Sequence, residues 1–86
     1  MAPNPKRVRK AILDVVENQL RNLDPPATKE TLDRLISQGV AEDEARRLIG
    51  SVVASEIFDI LKHKQPFDQD RYVMALRKLP ELPWQD

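Results

Sequence analysis

His63, the only histidine of the chain, lies four residues after Asp59 and seven after Glu56. Residues at these spacings share one side of a helix. A histidine beside carboxylates is typical of half of a metal site or of an acid–base pair. The alternative is an exposed helix end where Asp59 and His63 form an i,i+4 pair. We favour this alternative, because a metal site needs further ligands and no second histidine exists.

Glu56 stands among apolar positions, four residues from both Val52 and Ile60. This spacing places the carboxylate on or beside an apolar stripe, and a buried carboxylate needs a hydrogen-bond donor. The candidate donors are Arg46, Arg34 and a backbone amide. We expect a structural ion pair or an edge residue, with a functional buried acid as the alternative.

Other chemistry is sparse. The chain has no cysteine, which excludes disulfides, thiolate catalysis and cysteine-based metal sites. Ser51 and Ser55 fall on the polar side of a helix with no base predicted nearby. We therefore expect no catalytic residue, no cofactor and no metal, and a protein that is not an enzyme.

The strongest local charge cluster is the basic cluster, which consists of Lys6, Arg7, Arg9 and Lys10. Such a cluster is able to contact phosphates of nucleic acid or of an anionic lipid surface. Asp14 and Glu17 interrupt it along the same helix, and no aromatic residue is interleaved for base stacking. We expect a solvated helix end, with anion contact as the alternative.

The spacing of apolar residues is helical throughout and predicts an all-α fold, a compact bundle of about four helices with short loops. Asn4, Thr28 and Asp68 are the expected N-caps, and Gly39 fits a left-handed helix stop with Val40 packing back on Leu35. The four predicted spans are about Pro5 to Leu23, Thr28 to about Gln38, Glu42 to Lys64, and Gln69 to Leu79.

Each predicted helix carries one apolar face. The faces are Val8, Ile12, Val15, Val16, Leu20 and Leu23 in the first helix; Leu32, Leu35 and Ile36 in the second; and Tyr72, Val73, Leu76 and Leu79 in the fourth. The third helix is the longest, and Ala54, Phe58 and Leu61 widen its apolar arc, so we expect it to be central and covered by several neighbours.

Two further features concern packing. Gly50 lies inside the third helix, where glycine costs about 1 kcal/mol relative to alanine. We expect another helix to approach it closely, within the fold rather than across a dimer. Leu82 and Trp84 follow the last helix and are expected to pack on the bundle or on a partner.

The length and net charge of the chain limit the number of domains and the type of protein. We expect residues 1–86 to form one domain, with irregular tails at 1–4 and 80–86. The 14 basic and 14 acidic residues balance to zero net charge, which argues against a general nucleic-acid or membrane binder and favours self-association. The absence of cysteine and of a signal-like N-terminal run predicts a cytoplasmic protein without a membrane span.

Several motifs between Asp24 and Trp84 resemble a family of small bacterial helical domains with no assigned activity. The motifs are Asp24-Pro25-Pro26, Glu30-Thr31-Leu32, Gly39-Val40, Glu44-Ala45, Leu48-Ile49-Gly50, Pro66-Phe67-Asp68 and Arg71-Tyr72. Ala41 departs from the Ser or Thr expected as a cap. The resemblance covers about two-thirds of the chain and implies a compact helical unit, without functional residues to transfer.

These observations predict a non-enzymatic module for protein–protein interaction or homo-oligomerisation, with a homodimer as one candidate assembly. The expected partner surface comprises Phe58, Leu82 and Trp84. The alternative is a nucleic-acid-binding accessory protein that uses the basic cluster. A small enzyme or metal protein around Glu56, Asp59 and His63 is the third hypothesis.

Overall fold

Four helices in chain order make up the fold. A computed structural model describes residues 4–85 and places α1 at Pro5–Asn22, α2 at Pro26–Ser37, α3 at Glu42–His63 and α4 at Gln69–Lys78. Helix α3 contacts each of the other three, while α2 also contacts α1 and α4. The predicted all-α bundle with a central third helix is confirmed.

Side-chain caps begin two of the four helices within residues 4–85. The Asn4 side chain accepts a hydrogen bond from the Lys6 amide at 2.9 Å, and Asp68 accepts one from the Arg71 amide at 3.1 Å. Such side chains satisfy amides that the first helical turn leaves unpaired. Phe67, just before the Asp68 cap, lies against Tyr72 with ring centroids 5.9 Å apart, which is the contact of a hydrophobic staple.

The end of α2 is a Schellman motif, as predicted. Gly39 has φ +94°, a left-handed conformation that glycine adopts without steric cost. The amide of Val40 donates to the Leu35 carbonyl and that of Gly39 to the Ile36 carbonyl, each at 3.0 Å. The role of Gly39 and Val40 is therefore to end helix α2.

Thr28 is not the N-cap of α2, and that prediction is wrong. The helix begins two residues earlier at Pro26, because proline suits the first turn, where its missing N–H is not needed. Thr28 and Thr31 instead join the buried face, while Ile36 is 41% exposed. The buried stripe of α2 is Thr28, Thr31, Leu32 and Leu35.

The core lies along about the first two-thirds of α3. No residue of α3 after Glu56 is buried. The buried apolar residues are Val16, Leu32, Leu35, Ala45, Ile49, Val52, Val53, Tyr72, Leu76 and Leu79.

The predicted apolar faces of α1 and α3 include residues that the core does not cover. In α1 only Val16 is buried, and Val8, Val15 and Leu23 are exposed. The backbone of α1 lies close to those of α2 and α3 only, so α1 turns only part of its apolar stripe inward. The second half of α3 is likewise uncovered on one side, contrary to the expectation of several neighbours there.

Helix α1 packs tightly on α3 at Gly50. A Cβ atom added to Gly50 would lie 3.3 Å from Cγ2 of Ile12 and 3.7 Å from Cδ2 of Leu13. The first distance is tighter than ordinary van der Waals contact. The expected approach of a helix to Gly50 is therefore present, and it is intramolecular.

A buried hydrogen-bond junction ties α1, α2 and α4 together. The Gln19 side-chain oxygen accepts from the Thr28 hydroxyl at 2.8 Å and from the Tyr72 hydroxyl at 2.7 Å. Within residues 4–85, every buried side-chain nitrogen or oxygen has a hydrogen-bond partner. Polar groups inside the bundle are thus satisfied, as stability requires.

None of the helices within residues 4–85 combines the length and the apolarity needed to cross a lipid bilayer.

The buried hydroxyl of Tyr72 makes the free energy of unfolding depend on pH in the alkaline range. Burial raises the pKa of Tyr72 above its ordinary value of 10.0. Between the unfolded and folded pKa values the folded chain holds the phenol proton that the unfolded chain releases, so the free energy of unfolding falls as pH rises above about 10. Tyr72 is the sole tyrosine, so tyrosinate absorbance follows this group alone.

We expect Tyr72→Phe to cost about 1 kcal/mol at neutral pH through the lost hydrogen bond. The variant will also lose the part of the alkaline destabilisation that Tyr72 causes. Urea unfolding followed by circular dichroism at neutral pH and at about pH 11 measures both effects. An equal loss of stability at high pH in both proteins would contradict this role for Tyr72.

Candidate functional site

Glu56 is a buried acid with a bidentate partner. Glu56 is only 6% exposed. Arg71 donates to its Oε2 through Nε at 3.1 Å and to its Oε1 through Nη2 at 2.5 Å. This fork matches the two carboxylate oxygens and is the strongest geometry for such a pair. The hydrogen bond to Glu56 raises the pKa of Arg71 above its ordinary value, so the guanidinium stays charged.

The start of α4 positions Arg71 for this contact. Asp68 caps the helix on the Arg71 amide, and the short connection after His63 returns the first turn of α4 to α3. Gln65, in that connection, accepts a further hydrogen bond from Arg71 Nη1 at 3.5 Å. The short connection is the sequence signal that identifies Arg71 as a partner.

Arg46 and Arg34 were candidate donors to Glu56, and neither of them contacts it. Arg46 lies ten residues before Glu56 on the same helix, which is about 15 Å along its axis, and it pairs with Glu17 and Glu42. Arg34 donates to the backbone carbonyls of Leu76, Arg77 and Leu79. It thereby satisfies the C-terminal carbonyls of α4, which lack partners inside the helix.

The three residues of the hypothetical metal site do not converge. Arg71 holds both carboxylate oxygens of Glu56, and His63 is exposed. The part of the chain that the structure describes contains no group of three His, Asp or Glu side chains placed to hold a metal ion. Nor does it contain an ion pair between Asp59 and His63.

The serines have ordinary helical roles or none. Ser51 donates its hydroxyl to the Arg47 carbonyl at 3.0 Å, one turn earlier. Ser55 is half-buried and lines a groove between α3 and the C-terminal segment. No histidine lies close enough in sequence or structure to activate either hydroxyl.

That groove, the aromatic groove, lies beside the Glu56–Arg71 pair and has a volume of about 730 Å³. Phe58 and Trp84 line it and are 60% and 63% exposed. Leu82 instead packs against the core. The C-terminal segment therefore divides, with Leu82 on the bundle and Trp84 at the surface.

The exposed side of α3 after Glu56 is apolar. Ile57, Phe58 and Leu61 are 42%, 60% and 74% exposed. At 100° per residue these three side chains fall within about a quarter to a third of the helix circumference. We call this set the α3 face. The ammonium of Lys62 lies 5.5 Å from the Phe58 ring centroid, a cation–π distance.

A second groove lies between the first half of α1 and the middle of α3. It also has a volume of about 730 Å³, and we call it the basic groove because arginines and no acids line it. Its lining comprises Pro5, Val8, Arg9, Ile12, Leu13, Arg47, Gly50, Ser51 and Ala54.

The basic cluster is exposed at the edge of this groove. Lys6, Arg7, Arg9 and Lys10 are all exposed along α1. Lys10 forms an ion pair with Asp14 at 3.0 Å, as an i,i+4 pair on a helix surface does. Of the four, Arg9 is the residue that lines the groove.

Comparison with protein-family models, with curated proteins and with solved structures finds no match to this chain. The resemblance to a bacterial helical family therefore stays a prediction. The functional argument rests on the surfaces and buried groups described above.

The Glu56–Arg71 pair will be strongly coupled in stability. Arg71→Ala leaves a buried carboxylate without its partner, which is destabilising. In Glu56→Leu/Arg71→Met both charges give way to apolar groups of similar size. We expect this double variant to be more stable than Arg71→Ala, as measured by urea unfolding followed by circular dichroism.

Arg77→Ala is the matched control, because Arg77 is an exposed arginine on the same helix. We expect it to stay near the wild-type stability. A double variant less stable than Arg71→Ala would show that the pair contributes more than mutual charge compensation.

Proposed function

We propose that this chain is a non-enzymatic interaction module that self-associates through the α3 face, the set of Ile57, Phe58 and Leu61. The observation that carries the proposal is the exposure of Phe58 and Leu61, at 60% and 74%, within one turn of the same helix. Burying such a side chain is worth about 1.5–3 kcal/mol. Single exposed apolar residues are ordinary, but a contiguous set favours an interface.

Charge favours a second copy as the occupant. The chain has zero net charge, so two copies repel each other little. Asp59 and Lys62 carry opposite charges on the flank of the α3 face. In a two-fold symmetric pair a residue i meets j and j meets i. Antiparallel α3 helices whose two-fold axis passes between Ile60 and Leu61 therefore bring Asp59 of one copy opposite Lys62 of the other.

The neighbouring aromatic groove extends the same surface. Phe58 belongs both to the α3 face and to the groove lining, and Trp84 stands across the groove. Aromatic side chains are enriched at protein interfaces because they bury a large area at a low entropic cost. Trp84 is therefore placed at the edge of the proposed contact, where its fluorescence reports association.

A module without catalysis agrees with the chemistry of its polar groups. Glu56 is engaged by Arg71, and the Ser51 hydroxyl is engaged by the Arg47 carbonyl. Neither is poised as a base or a nucleophile, since both lack a free partner in hydrogen-bond reach.

Sedimentation velocity over a series of protein concentrations tests the proposal. We expect the mass of the wild type to rise towards that of two chains as concentration increases. Phe58→Glu/Leu61→Glu will remain at the mass of one chain, because burying two added charges at the interface is unfavourable. Circular dichroism checks that the variant keeps its helices.

Met74→Glu is the matched control. Met74 is 58% exposed, close to the value for Phe58, but it lies on α4 outside the α3 face. We expect this variant to associate like the wild type. A wild type that stays at the mass of one chain, or a Phe58→Glu/Leu61→Glu variant that associates normally, would refute the proposal.

A further inference from the structure

The basic groove has an apolar floor that residues 4–85 leave uncovered. Helix α1 packs tightly on α3 at Gly50, and Val8, one turn before Ile12, is 45% exposed. Ala54 lies one turn beyond Gly50 on α3 and also lines the groove. The result is a concave apolar channel between two helices.

The charged residues that line this channel have one sign. Arg9 and Arg47 line the groove, and no acidic residue does. Arg47 forms an ion pair with Glu44, with Nη1 of Arg47 3.7 Å from Oε2 of Glu44. The two side chains are 67% and 54% exposed, respectively. Such an exposed pair is weak, so Arg47 remains free to change partner. Lys6 and Arg7 add positive charge on the same helix.

We propose that the basic groove binds an acidic amphipathic helix of a partner protein. A third helix packs against two neighbouring helices at ordinary interaxial distances of about 8–10 Å. Its apolar residues at i, i+3, i+4 and i+7 cover Val8, Ile12 and Ala54, in the manner of helix-in-groove recognition. Acidic residues beside that stripe reach Arg9 and Arg47. This site is separate from the α3 face and goes beyond self-association.

The shape of the groove favours a helix over the other anionic surfaces. A flat bilayer meets convex apolar surfaces, whereas these apolar residues line a recess. Nucleic-acid phosphates would satisfy Arg9 and Arg47 but leave Val8, Ile12 and Ala54 in water. An acidic amphipathic helix satisfies both the charges and the apolar floor.

Selection from a phage-displayed library of random helical peptides about 16 residues long, about four turns, tests the proposal on the full chain. We expect the enriched peptides to carry an i, i+3, i+4, i+7 apolar stripe and a net negative charge. A synthetic copy of the most enriched peptide, labelled with fluorescein, will bind the wild type in fluorescence polarisation.

The Arg9→Glu/Arg47→Glu variant will bind this peptide at least about tenfold more weakly, a difference of about 1.4 kcal/mol. Arg77→Glu/Lys78→Glu is the matched control, because it changes the net charge equally at two exposed positions of α4. We expect it to bind like the wild type apart from a small loss through long-range charge.

Several outcomes would overturn the proposal. These are the absence of any enrichment, enriched peptides without acidic bias, and peptide binding that the groove variant leaves unchanged. Phosphatidylcholine–phosphatidylserine vesicles and a labelled DNA duplex are assayed in parallel. Binding of either that needs Arg9 and Arg47, with no peptide binding, would assign the groove to that anion instead. Repeating the peptide assay on Phe58→Glu/Leu61→Glu separates this proposal from self-association.

Discussion

Helix α3 is longer than the core that packs against it. Its 22 residues span about 33 Å, and a chain of 86 residues builds only one core. The other three helices bury about the first two-thirds of α3, and burial ends at Glu56. The remaining two turns extend beyond the core, which is why the α3 face is both apolar and exposed.

Glu56 and Arg71 complete the core where burial ends. An unpaired carboxylate at this position would be costly, and the capped first turn of α4 supplies the guanidinium that satisfies it. Elsewhere the same principle applies: Gln19 joins three helices through its side-chain oxygen, and Arg34 satisfies the last carbonyls of α4. Polar contacts between helices thus set how the helices are arranged, while apolar burial supplies most of the stability.

The two proposed surfaces differ in chemistry because they arise differently. The α3 face lies on the exposed end of a helix and is flanked by the opposite charges of Asp59 and Lys62, which suits contact with a second copy. The basic groove is concave and its lining carries only positive charge, from Arg9 and Arg47, which suits an acidic helix. The charged and large apolar side chains of the two proposals differ, although Ala54 lines both the aromatic groove and the basic groove.

The amino-acid sequence was enough to predict the helices and, within one or two residues, their ends. Asn4, Gly39 and Asp68 act through bonds to backbone groups only a few residues away, so their roles follow from local chemistry. Helical periodicity likewise identified the apolar face of each helix. The length of α3 and the width of its apolar arc identified it as the central helix.

Which of those residues are buried, and which charges meet, follows from the packing of the helices against one another. Thr28 was expected as a cap but bonds to Gln19 on another helix, and Glu56 was expected to meet Arg46 or Arg34 but meets Arg71. Periodicity gives the direction of a side chain around its own helix, not the distance to a neighbouring helix. For the same reason the exposure of Phe58 and Leu61, on which the proposed function rests, depends on where α1 and α4 end against α3.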